Sequence, residues 1–479
     1  MKKYLIFIIV LFAFCLRLFR LDSNPPSLYW EEVAIGYDAY SILKTGKDFH
    51  GHPWPLVAFE SFGDYKPSFY FYMTVPSILI FGLNEFAVRF PSAFFGALTV
   101  FLVYLLIKNQ KIALISALLL AISPWHLQFS RAAFEANLGL FFIVAGIYWF
   151  KYWPLSAICF SVSMYTYHAY RIFVPLFLIA VFLIHKSRRV FFSGLLVILL
   201  ILPIVIKLNA PEVRQRFNET SAFNSLEPII QSNTLIAADG GGWLPKTIHH
   251  RFWYYLQIFL KNYFSHFNFS YLFLNGDSNP RHSVQSVGYL YLIQFPFLIC
   301  GLILGLKRHN KFDLLLLSWL FIAPIPAALT LASPHGLRSL SMIIPLIIFT
   351  ALGLSRLKKI FLLILFLEFS RYLYIYYQIY PQKYAQFWQT GYKSMIQTVA
   401  ANQEKYNQIY ITRKLGRPSI YYWFYTQTDP YQVQVLNNSV LKDQGEYLEF
   451  GKIKFNDGPY LPNSLIVSEA SNQFKIHEN

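Results

Sequence analysis

Residues 30–38 read WEEVAIGYD and residues 63–67 read GDYKP, and both lie in a polar segment, 22–88, set among long apolar runs. Eight of the 24 acidic residues of the chain fall in this segment. Carboxylates beside a bilayer are costly to keep there and usually serve a function. The segment therefore predicts where the chemistry lies, and the apolar runs predict a membrane-embedded protein that holds it.

The composition is that of a polytopic α-helical membrane protein. Of the 479 residues, 55% are hydrophobic and only 14% are charged. The hydrophobic share is higher and the charged share lower than in typical soluble proteins. Apolar runs of about 17–20 residues recur, and each is long enough to cross a hydrocarbon core. The net charge of +17 sits mainly at helix ends, which fits membrane topology better than nucleic-acid binding. We therefore expect a lipid bilayer and no nucleic acid among the partners.

The topology depends on one ambiguous apolar stretch, residues 67–82, which is short and contains Pro67 and Pro76. If this stretch lies in the interface, the later basic clusters fall on the side of the N-terminus, as the positive-inside rule requires. The later clusters are Lys108/Lys111, Lys151, Lys186/Arg188/Arg189, Lys307/Arg308/Lys311 and Arg356/Lys358/Lys359, and the N-terminal residues whose side they share are Lys2/Lys3. We expect an integral protein of the plasma (inner) membrane with about eleven transmembrane helices. Its N-terminus is cytoplasmic, and its active site and C-terminus are extracytoplasmic.

The composition changes near residue 380. Residues 1–380 form the predicted transmembrane catalytic domain, with its first extracytoplasmic loop at 22–88 and a second large loop at 207–286. Residues 381–479 are more polar and predict a small extracytoplasmic α/β domain. Its elements are a helix near 384–404 and strands near 408–412, 419–425, 431–436 and 447–454.

Four carboxylates are candidate catalytic groups. Glu31 and Asp38 lie seven residues apart on one face of a predicted helix, and Glu32 lies on a neighbouring face. A carboxylate at a dry interface has a raised pKa, which makes it a better general base. Glu135 begins a predicted span, four residues after Arg131 on the same helix face, and should point into the bundle. The alternatives are solvated acids favoured by a helix N-terminus and a structural ion pair between Arg131 and Glu135.

Four cations suit a lipid phosphate. Lys66 precedes an aromatic segment at headgroup level, and Arg131, Arg281 and Arg338 lie on the same predicted membrane face. Lysine offers a compact charge and arginine bidentate hydrogen bonds to phosphate, although either residue also serves as an interface anchor. Carboxylates and such cations on one face predict transfer of a group from a phosphate leaving group to a hydroxyl.

No cofactor is assigned from the sequence. The chain has no glycine-rich phosphate loop and no Cys/His cluster with metal-ligand spacing. His282 and His335 are isolated in the sequence, and such histidines rarely bind a metal. We therefore assign no metal site, and a divalent metal stays unassigned.

Several short motifs occur in a fixed order along the chain. They are Pro25-Pro26, Glu31-Glu32 after Trp30, Thr45-Gly46-Lys47-Asp48, Asp64-Tyr65-Lys66-Pro67, Phe86-Ala87-Val88-Arg89-Phe90-Pro91-Ser92-Ala93, and Ser130-Arg131 followed by Glu135, with weaker echoes at His335-Gly336-Leu337-Arg338 and Trp388-Gln389-Thr390-Gly391-Tyr392-Lys393. In this order the chain resembles the protein O-mannosyltransferase and lipid A aminoarabinose transferase group, which are GT-C glycosyltransferases of the family 39 type.

The resemblance implies a GT-C fold and an inverting transfer of a sugar from a polyprenyl-phosphate donor. The acceptor would be a hydroxyl of a protein, lipid or envelope glycan on the outer face of the membrane. Glu31 matches the proposed catalytic base, which is usually Asp in the family. The extra methylene displaces the carboxylate by about an ångström, so either the pocket has adjusted or activity is impaired.

The resemblance also assigns residues around this base. Glu135 matches a second acidic site of the family, Lys66 matches its lipid-phosphate contact, and Arg281 falls loosely where the aminoarabinose transferases have a phosphate-binding arginine. In that subgroup an acid before the lysine helps to bind a metal. Tyr65 stands at this position, so the metal is not carried over.

Other functions stay open at this level. One is a ligase or polymerase that uses a lipid-linked oligosaccharide, which would need a larger cavity and more cations. Another is a transporter or flippase of lipid-linked sugars, which predicts inverted repeats that the sequence does not show clearly. A third is a catalytically inactive relative, because Glu replaces the usual Asp at residue 31.

Overall fold

The computed structural model describes residues 4–355, 360–436, 442–443, 445–470 and 473–478. Within these residues the chain is mostly helical, with a small sheet near the C-terminus. This agrees with the predicted class at the coarse level of a helical protein with a small C-terminal α/β part. The basic clusters Lys2/Lys3 and Arg356/Lys358/Lys359, which entered the predicted topology, lie outside the described residues.

Helices follow one another along most of the described chain. They are α1 (Leu5–Leu18), α2 (Trp30–Thr45), α3 (Phe69–Phe81), α4 (Glu85–Leu106), α5 (Gln110–Ala121), α6 (Pro124–Ser130), α7 (Glu135–Tyr148), α8 (Trp153–Thr166), α9 (Tyr170–His185), α10 (Arg188–Leu200), α11 (Leu202–Ile206), α12 (Pro211–Thr220), α13 (Glu227–Ala238), α14 (Trp243–Ile248), α15 (Arg251–Ser265), α16 (Gln294–Arg308), α17 (Lys311–Ile322), α18 (Ile325–Ala328), α19 (Ile343–Leu354), α20 (Ile360–Tyr374), α21 (Tyr380–Lys383), α22 (Tyr392–Asn402), α23 (Pro418–Tyr425) and α24 (Pro430–Leu436). Single 3₁₀ or π turns lie at Trp149–Lys151, Ala222–Asn224, Ser270–Leu274, Leu340–Met342, Ile375–Ile379, Ala385–Trp388 and Gln403–Lys405.

The strands form a hairpin near the N-terminus and a sheet near the C-terminus. They are β1 (Ala58–Ser61), β2 (Asp64–Pro67), β3 (Gln408–Ile411), β4 (Lys442–Asp443), β5 (Glu446–Tyr447), β6 (Glu449–Phe450), β7 (Ile453–Lys454), β8 (Ser464–Ala470) and β9 (Gln473–Glu478). The five-stranded sheet has the order β6-β7-β3-β8-β9, with β3 parallel to both β7 and β8. The remaining pairs, including β1 with β2 and β4 with β5, are antiparallel.

Few of the helices are long enough to cross a bilayer by themselves. Among the described residues, Glu85–Leu106 and Lys311–Ala328 have the length and apolar character for a span, and α5 with α6 would make a third across a bend of 57°. The predicted number of about eleven spans is therefore not confirmed. One reason is that helices end inside the apolar runs, as where α10 ends at Leu200 and α11 begins just before Pro203. Proline cannot donate the backbone hydrogen bond that continues a helix.

The ambiguous stretch at 67–82 forms α3, a helix of 13 residues. It is shorter than the roughly 20 residues that cross a hydrocarbon core. Its predicted position in the membrane interface stays a prediction.

By its contacts the chain forms two compact units. The first contains Met1–Phe101, Leu127–Phe141 and Ser370–Asn479, and the second contains Leu102–His126 and Phe142–Phe369. The C-terminal residues thus share a unit with the first loop. The predicted domain boundary at residue 380 is a different division and stays a prediction.

In the second unit, α16 and α19 pack backbone to backbone. A Cβ atom on Gly301 would lie 1.7 Å from the carbonyl oxygen of Phe349, and one on Gly353 would lie 2.1 Å from that of Phe297. Small residues permit such an approach between apolar helices. This contact forms much of the core of the second unit.

In the first unit, the hairpin β1–β2 was not predicted from the sequence. Its two-residue turn, Phe62-Gly63, has positive φ at both residues (54° and 74°), which is the geometry of a type I′ turn. Glycine at the second position avoids the steric cost that other residues have there. The hairpin places Lys66 opposite Phe59.

Two predicted strands of the tail are helices, so those predictions were wrong. Residues 419–425 lie in α23 and residues 431–436 in α24, whereas the strand predicted at 408–412 is confirmed as β3. Pro418 and Pro430 stand at the helix starts, where the fixed φ of proline is favourable. Residues 418–424 of α23 are all buried. The segment therefore lacks the alternation of apolar and polar residues by which a helix is recognised from sequence. The helix predicted near 384–404 is confirmed in part as α22.

Gly36 allows a close helix contact in the first unit. A Cβ atom there would lie 2.6 Å from Val88 Cγ2 and 2.7 Å from Phe424 Cε2. We expect Gly36→Ala to lower stability by about 1–3 kcal/mol through overpacking, despite the better helix propensity of alanine. The measurement is the thermal midpoint of the purified protein in detergent.

Gly194→Ala is the matched control for this substitution. Gly194 lies within α10, and a Cβ atom there meets nothing within 4 Å. We expect this variant to be as stable as the wild type or slightly more stable. Equal melting of the two variants would contradict the packing argument.

Candidate active site

Glu31 and Lys66, two of the predicted site residues, form an ion pair. Glu31 lies in the first turn of α2, and Lys66 lies on β2. Lys66 Nζ is 2.9 Å from Glu31 Oε2, and the two side chains are 10% and 29% exposed. A carboxylate and an ammonium thus meet here, and the carboxylate is the more exposed of the two.

Glu32 makes a different contact although it is the next residue in the sequence. It pairs with Arg89, with Nε to Oε1 and Nη2 to Oε2 both at 3.0 Å, and neither side chain is exposed. Ala133 N also donates to Glu32 Oε1 at 2.8 Å. Arg89 donates further to the backbone carbonyls of Leu21, Pro25 and Ser27. Because these hydrogen bonds occupy both oxygens, the geometry favours a positioning role for Glu32, and its predicted catalytic role stays a prediction.

Arg131 and Glu135 do not lie on one helix face, so that interpretation of their spacing was wrong. Helix α6 ends at Ser130 and α7 begins at Glu135, which leaves Arg131 in the turn between them. The Arg131 guanidinium lies over the ring of Tyr376 at 5.4 Å. It donates to the backbone carbonyls of Leu16, Arg17, Phe19 and Asn24. These contacts favour a structural role, and its predicted phosphate contact stays a prediction.

Asp38 lies on α2 beyond Glu31 and has no exposed surface. Its Oδ1 accepts from Phe49 N at 3.1 Å, and its Oδ2 has no hydrogen-bond partner among the described residues. Burial and the charge of Asp48 raise the pKa of Asp38 well above its usual value. Asp38 therefore favours the protonated form more than an ordinary aspartate does.

Residues of the tail hold the start of α2, and the sequence reasoning missed them. Gln389 Oε1 accepts from Trp30 N and from Tyr421 OH, both at 2.9 Å, and Tyr421 OH lies 2.9 Å from Leu28 O. Gln389 belongs to a weak motif, but nothing in the sequence pairs it with residue 30. Its place in the motif Trp388-Gln389-Thr390-Gly391-Tyr392-Lys393 was the available signal.

The remaining predicted cations, Arg281 and Arg338, belong to the second unit. Both are partly buried, and Arg338 Nη1 donates to Thr330 Oγ1 at 2.7 Å. Their two loops meet, because the rings of His282 and His335 lie 4.8 Å apart. Their predicted phosphate contacts stay predictions.

The family comparison covers the N-terminal part of this site. Residues 7–208 match the family model described as dolichyl-phosphate-mannose-protein mannosyltransferase. The match confirms the resemblance given by the motifs and the prediction that the chain is a glycosyltransferase. It also agrees with the predicted membrane location. No curated protein matches the chain significantly.

Solved structures of three systems are similar. ArnT from Cupriavidus metallidurans in the apo state aligns with 90% of this chain and 69% of its own, at 13% identity and a TM-score of 0.49. Oligosaccharyltransferase AglB from Archaeoglobus fulgidus, in complex with an inhibitory peptide and a dolichol-phosphate, aligns with 96% of this chain and 61% of its own, at 14% identity and a TM-score of 0.49. The S. cerevisiae Pmt1–Pmt2 complex bound to the sugar donor aligns with 43% and 32%, at 18% identity and a TM-score of 0.33. All three TM-scores are below 0.5.

The buried pair gives the first prediction for this site. Glu32→Gln leaves the Arg89 charge buried without a counter-ion, and we expect a loss of about 3–5 kcal/mol of stability, measured as a lower thermal midpoint in detergent. Glu404→Gln is the matched control, because Glu404 is 85% exposed in its ion pair with Lys452 and exposed pairs contribute little. Equal midpoints for the two variants would contradict a structural role for Glu32.

Asp38 gives a second prediction, on pH. Because its pKa is raised in the folded state, the stability that protonated Asp38 provides is present at low pH and is lost as pH rises through the folded-state pKa. Asp38→Asn should therefore have the same thermal midpoint as the wild type at low pH and a higher midpoint than the wild type at high pH. The measurement is the thermal midpoint as a function of pH for both proteins.

Asp48→Asn is the companion variant for this test. It removes the neighbouring charge that contributes to the raised pKa of Asp38, so less stability should be lost at high pH than in the wild type. If the midpoints of Asp38→Asn and wild type run parallel at all pH values, the raised pKa is refuted.

Proposed function

We propose that this protein transfers a sugar from a polyprenyl-phosphate-linked donor to a hydroxyl, with inversion at the anomeric carbon. The acceptor hydroxyl belongs to a protein, a lipid or an envelope glycan, and the reaction takes place on the outer face of the plasma membrane. The family match over residues 7–208 supports a glycosyltransferase, and its description names a lipid-phosphate sugar. The outer face rests on the basic clusters of the sequence.

The Glu31–Lys66 ion pair is the observation that carries this proposal. Two neighbouring acids of α2 each meet a cation, yet Glu32 and Arg89 are wholly buried whereas Glu31 and Lys66 are partly exposed. A reaction at the surface of the unit can use only the exposed pair. This pair combines the two groups that the transfer needs, a base for the acceptor and a cation for the phosphate.

The proposed step conserves atoms and charge. The acceptor oxygen attacks the anomeric carbon from the face opposite the phosphate, while Glu31 takes the hydroxyl proton. The bond between the anomeric carbon and the phosphate oxygen breaks, and polyprenyl phosphate leaves with both electrons. The Lys66 ammonium stabilises the charge that develops on this phosphate.

The ion pair also orders the two substrates. The ammonium of Lys66 has three N–H donors, so it can hold Glu31 and a phosphate oxygen together. Because Lys66 lies on a hairpin, its position is fixed by the strand register and not by a free loop. The donor phosphate would thus lie beside the base before the acceptor arrives.

The other predicted residues have supporting roles in this proposal. Asp38 and Glu135 shape or share the role of Glu31, and both are buried. The phosphate contacts predicted for Arg131, Arg281 and Arg338 stay predictions, and Arg131 also donates to the backbone carbonyls of Phe19 and Asn24.

The experiment follows loss of donor from a panel of polyprenyl-phosphate sugars, with the purified protein in lipid. We expect Glu31→Gln to reduce turnover by about 10²–10⁴-fold because the general base is lost. Lys66→Ala should reduce it by about 10²–10³-fold because the phosphate charge is no longer stabilised. Donor binding should weaken in Lys66→Ala more than in Glu31→Gln.

Two nearby variants are the controls. Asp64→Asn keeps the side-chain oxygen that accepts from Tyr65 N, and Lys44→Ala removes a cation of α2 whose side chain lies over Tyr40. Both should keep near-wild-type turnover. Donor binding without turnover in the wild type, unchanged by Glu31→Gln, would refute the proposal and favour a carrier or an inactive relative. Turnover only with diphosphate-linked oligosaccharides would refute it in favour of a ligase.

A further inference from the structure

The second unit contains a buried carboxylate, Asp277, which is far from Glu31 in the sequence and holds a loop in place through hydrogen bonds. Asp277 is 4% exposed. Its Oδ1 accepts from Asn279 N at 2.8 Å, and its Oδ2 accepts from His282 Nδ1 at 2.8 Å and from Gly336 N at 2.7 Å. The carboxylate is therefore fixed between two loops that are more than 50 residues apart in the chain.

Two imidazoles lie beside this carboxylate. His282 is 7% exposed, and its ring centroid lies 4.8 Å from that of His335. One ligand atom from each of Asp277, His282 and His335 lies within 4.8 Å of the other two. Among the described residues, the ring of His335 makes one long hydrogen bond, from Arg338 N to Nδ1 at 3.4 Å. The contacts within the protein therefore use only part of the capacity of the His335 ring to form hydrogen bonds or to bind a metal ion.

The loop that carries His335 is held rigidly. Trp125 Nε1 donates to Gly336 O at 3.0 Å, and His335 N donates to His266 Nε2 at 3.2 Å. A Cβ atom on Gly336 would lie 1.8 Å from Tyr289 OH, so only glycine permits this approach. The ring of Tyr289 stacks on Trp125 at 4.1 Å. These contacts fix the backbone of His335 before any ligand binds, as a metal site requires.

Loop closure alone does not explain the whole cluster. The hydrogen bonds of Asp277 to His282 and Gly336 join the two loops without the ring of His335. A second imidazole beside the first adds no hydrogen bond to Asp277. A shared metal ion gives all three side chains one partner, since two histidines and one carboxylate are the ligands of many catalytic zinc sites.

We propose that Asp277, His282 and His335 form a binding site for a divalent transition metal, and that Zn²⁺ fits it best. Three protein ligands leave a fourth position for water or an anion. Zinc–ligand bonds of about 2.0–2.2 Å place tetrahedral ligand atoms about 3.4 Å apart, so on binding the 2.8 Å contact between His282 and Asp277 opens and the three ligand atoms adjust around the ion. On binding, the metal displaces the proton of the hydrogen bond between His282 Nδ1 and Asp277 Oδ2.

The metal would connect the two loops that carry the predicted phosphate-binding arginines. Arg281 precedes His282 directly, and Arg338 follows His335 by three residues. Fixing both loops fixes the backbone from which each guanidinium extends. The site thus goes beyond the proposed sugar transfer, and its metal content is measured without any donor.

The test uses the full-length wild-type protein in detergent. It is treated with chelator, dialysed and titrated with Zn²⁺ alone, with bound metal measured by mass spectrometry and calorimetry. We expect one Zn²⁺ per chain in the wild type and at least tenfold weaker binding in Asp277→Asn and His335→Gln. His249→Gln is the matched control, because His249 Nε2 and Asp239 Oδ2 form an Asp–His pair at 2.7 Å in the same unit without a place in the three-ligand cluster.

Cobalt substitution of the wild type keeps the test independent of how the variants fold. Co²⁺ alone should give the intense visible absorption of four-coordinate geometry. The proposal is overturned if the wild type binds no stoichiometric Zn²⁺, if cobalt shows only weak octahedral absorption, or if His249→Gln loses the metal equally. Those results would leave Asp277 and His282 as a hydrogen-bonded pair that joins the loops.

Discussion

The buried ion pair between Arg89 and Glu32 is the constraint on which the first unit depends. Two charges without any exposure are tolerated only when every donor and acceptor is used. The pair meets this condition by taking hydrogen bonds from Ala133 and giving them to carbonyls of the segment 21–27. It therefore ties together the segment that follows α1, the start of α2, the start of α4 and the turn before α7. A change in any of these segments would expose or unpair a buried charge.

This constraint divides the roles of two adjacent acids. Successive residues on a helix point about 100° apart, so α2 can bury Glu32 and leave Glu31 at the surface. The buried acid fixes the rotation of α2 about its axis, and the exposed acid is thereby directed at Lys66. The base of the proposed transfer needs a defined position relative to its substrate, and Glu32 would supply this position for Glu31. Glu32 makes the buried contacts to Arg89, whereas Glu31 contacts Lys66.

The C-terminal residues complete the same unit. Gln389 and Tyr421 bond to the backbone at residues 28–30, and Phe424 packs against Gly36. Gln434 Nε2 contacts Ser41 Oγ and Thr45 Oγ1 at the other end of α2. The tail thus contacts α2 along its length. Gln389, which precedes α22, and Tyr421 of α23 are the tail residues that hold the start of α2.

The sequence by itself determined the helical, membrane-bound character, the helix at Glu31 and Asp38, and the resemblance to GT-C glycosyltransferases, because these depend on composition, local order and motif spacing. It also indicated the chemistry of a base and a phosphate cation. Only the tertiary structure paired Glu31 with Lys66 and Glu32 with Arg89, since each contact joins residues 35 or more positions apart. The same holds for the helices at 418–425 and 430–436, where burial on all sides removed the period that local reasoning needs. Asp277 and His335 are a further example. They lie far apart in the sequence, and only the fold brings them into one cluster.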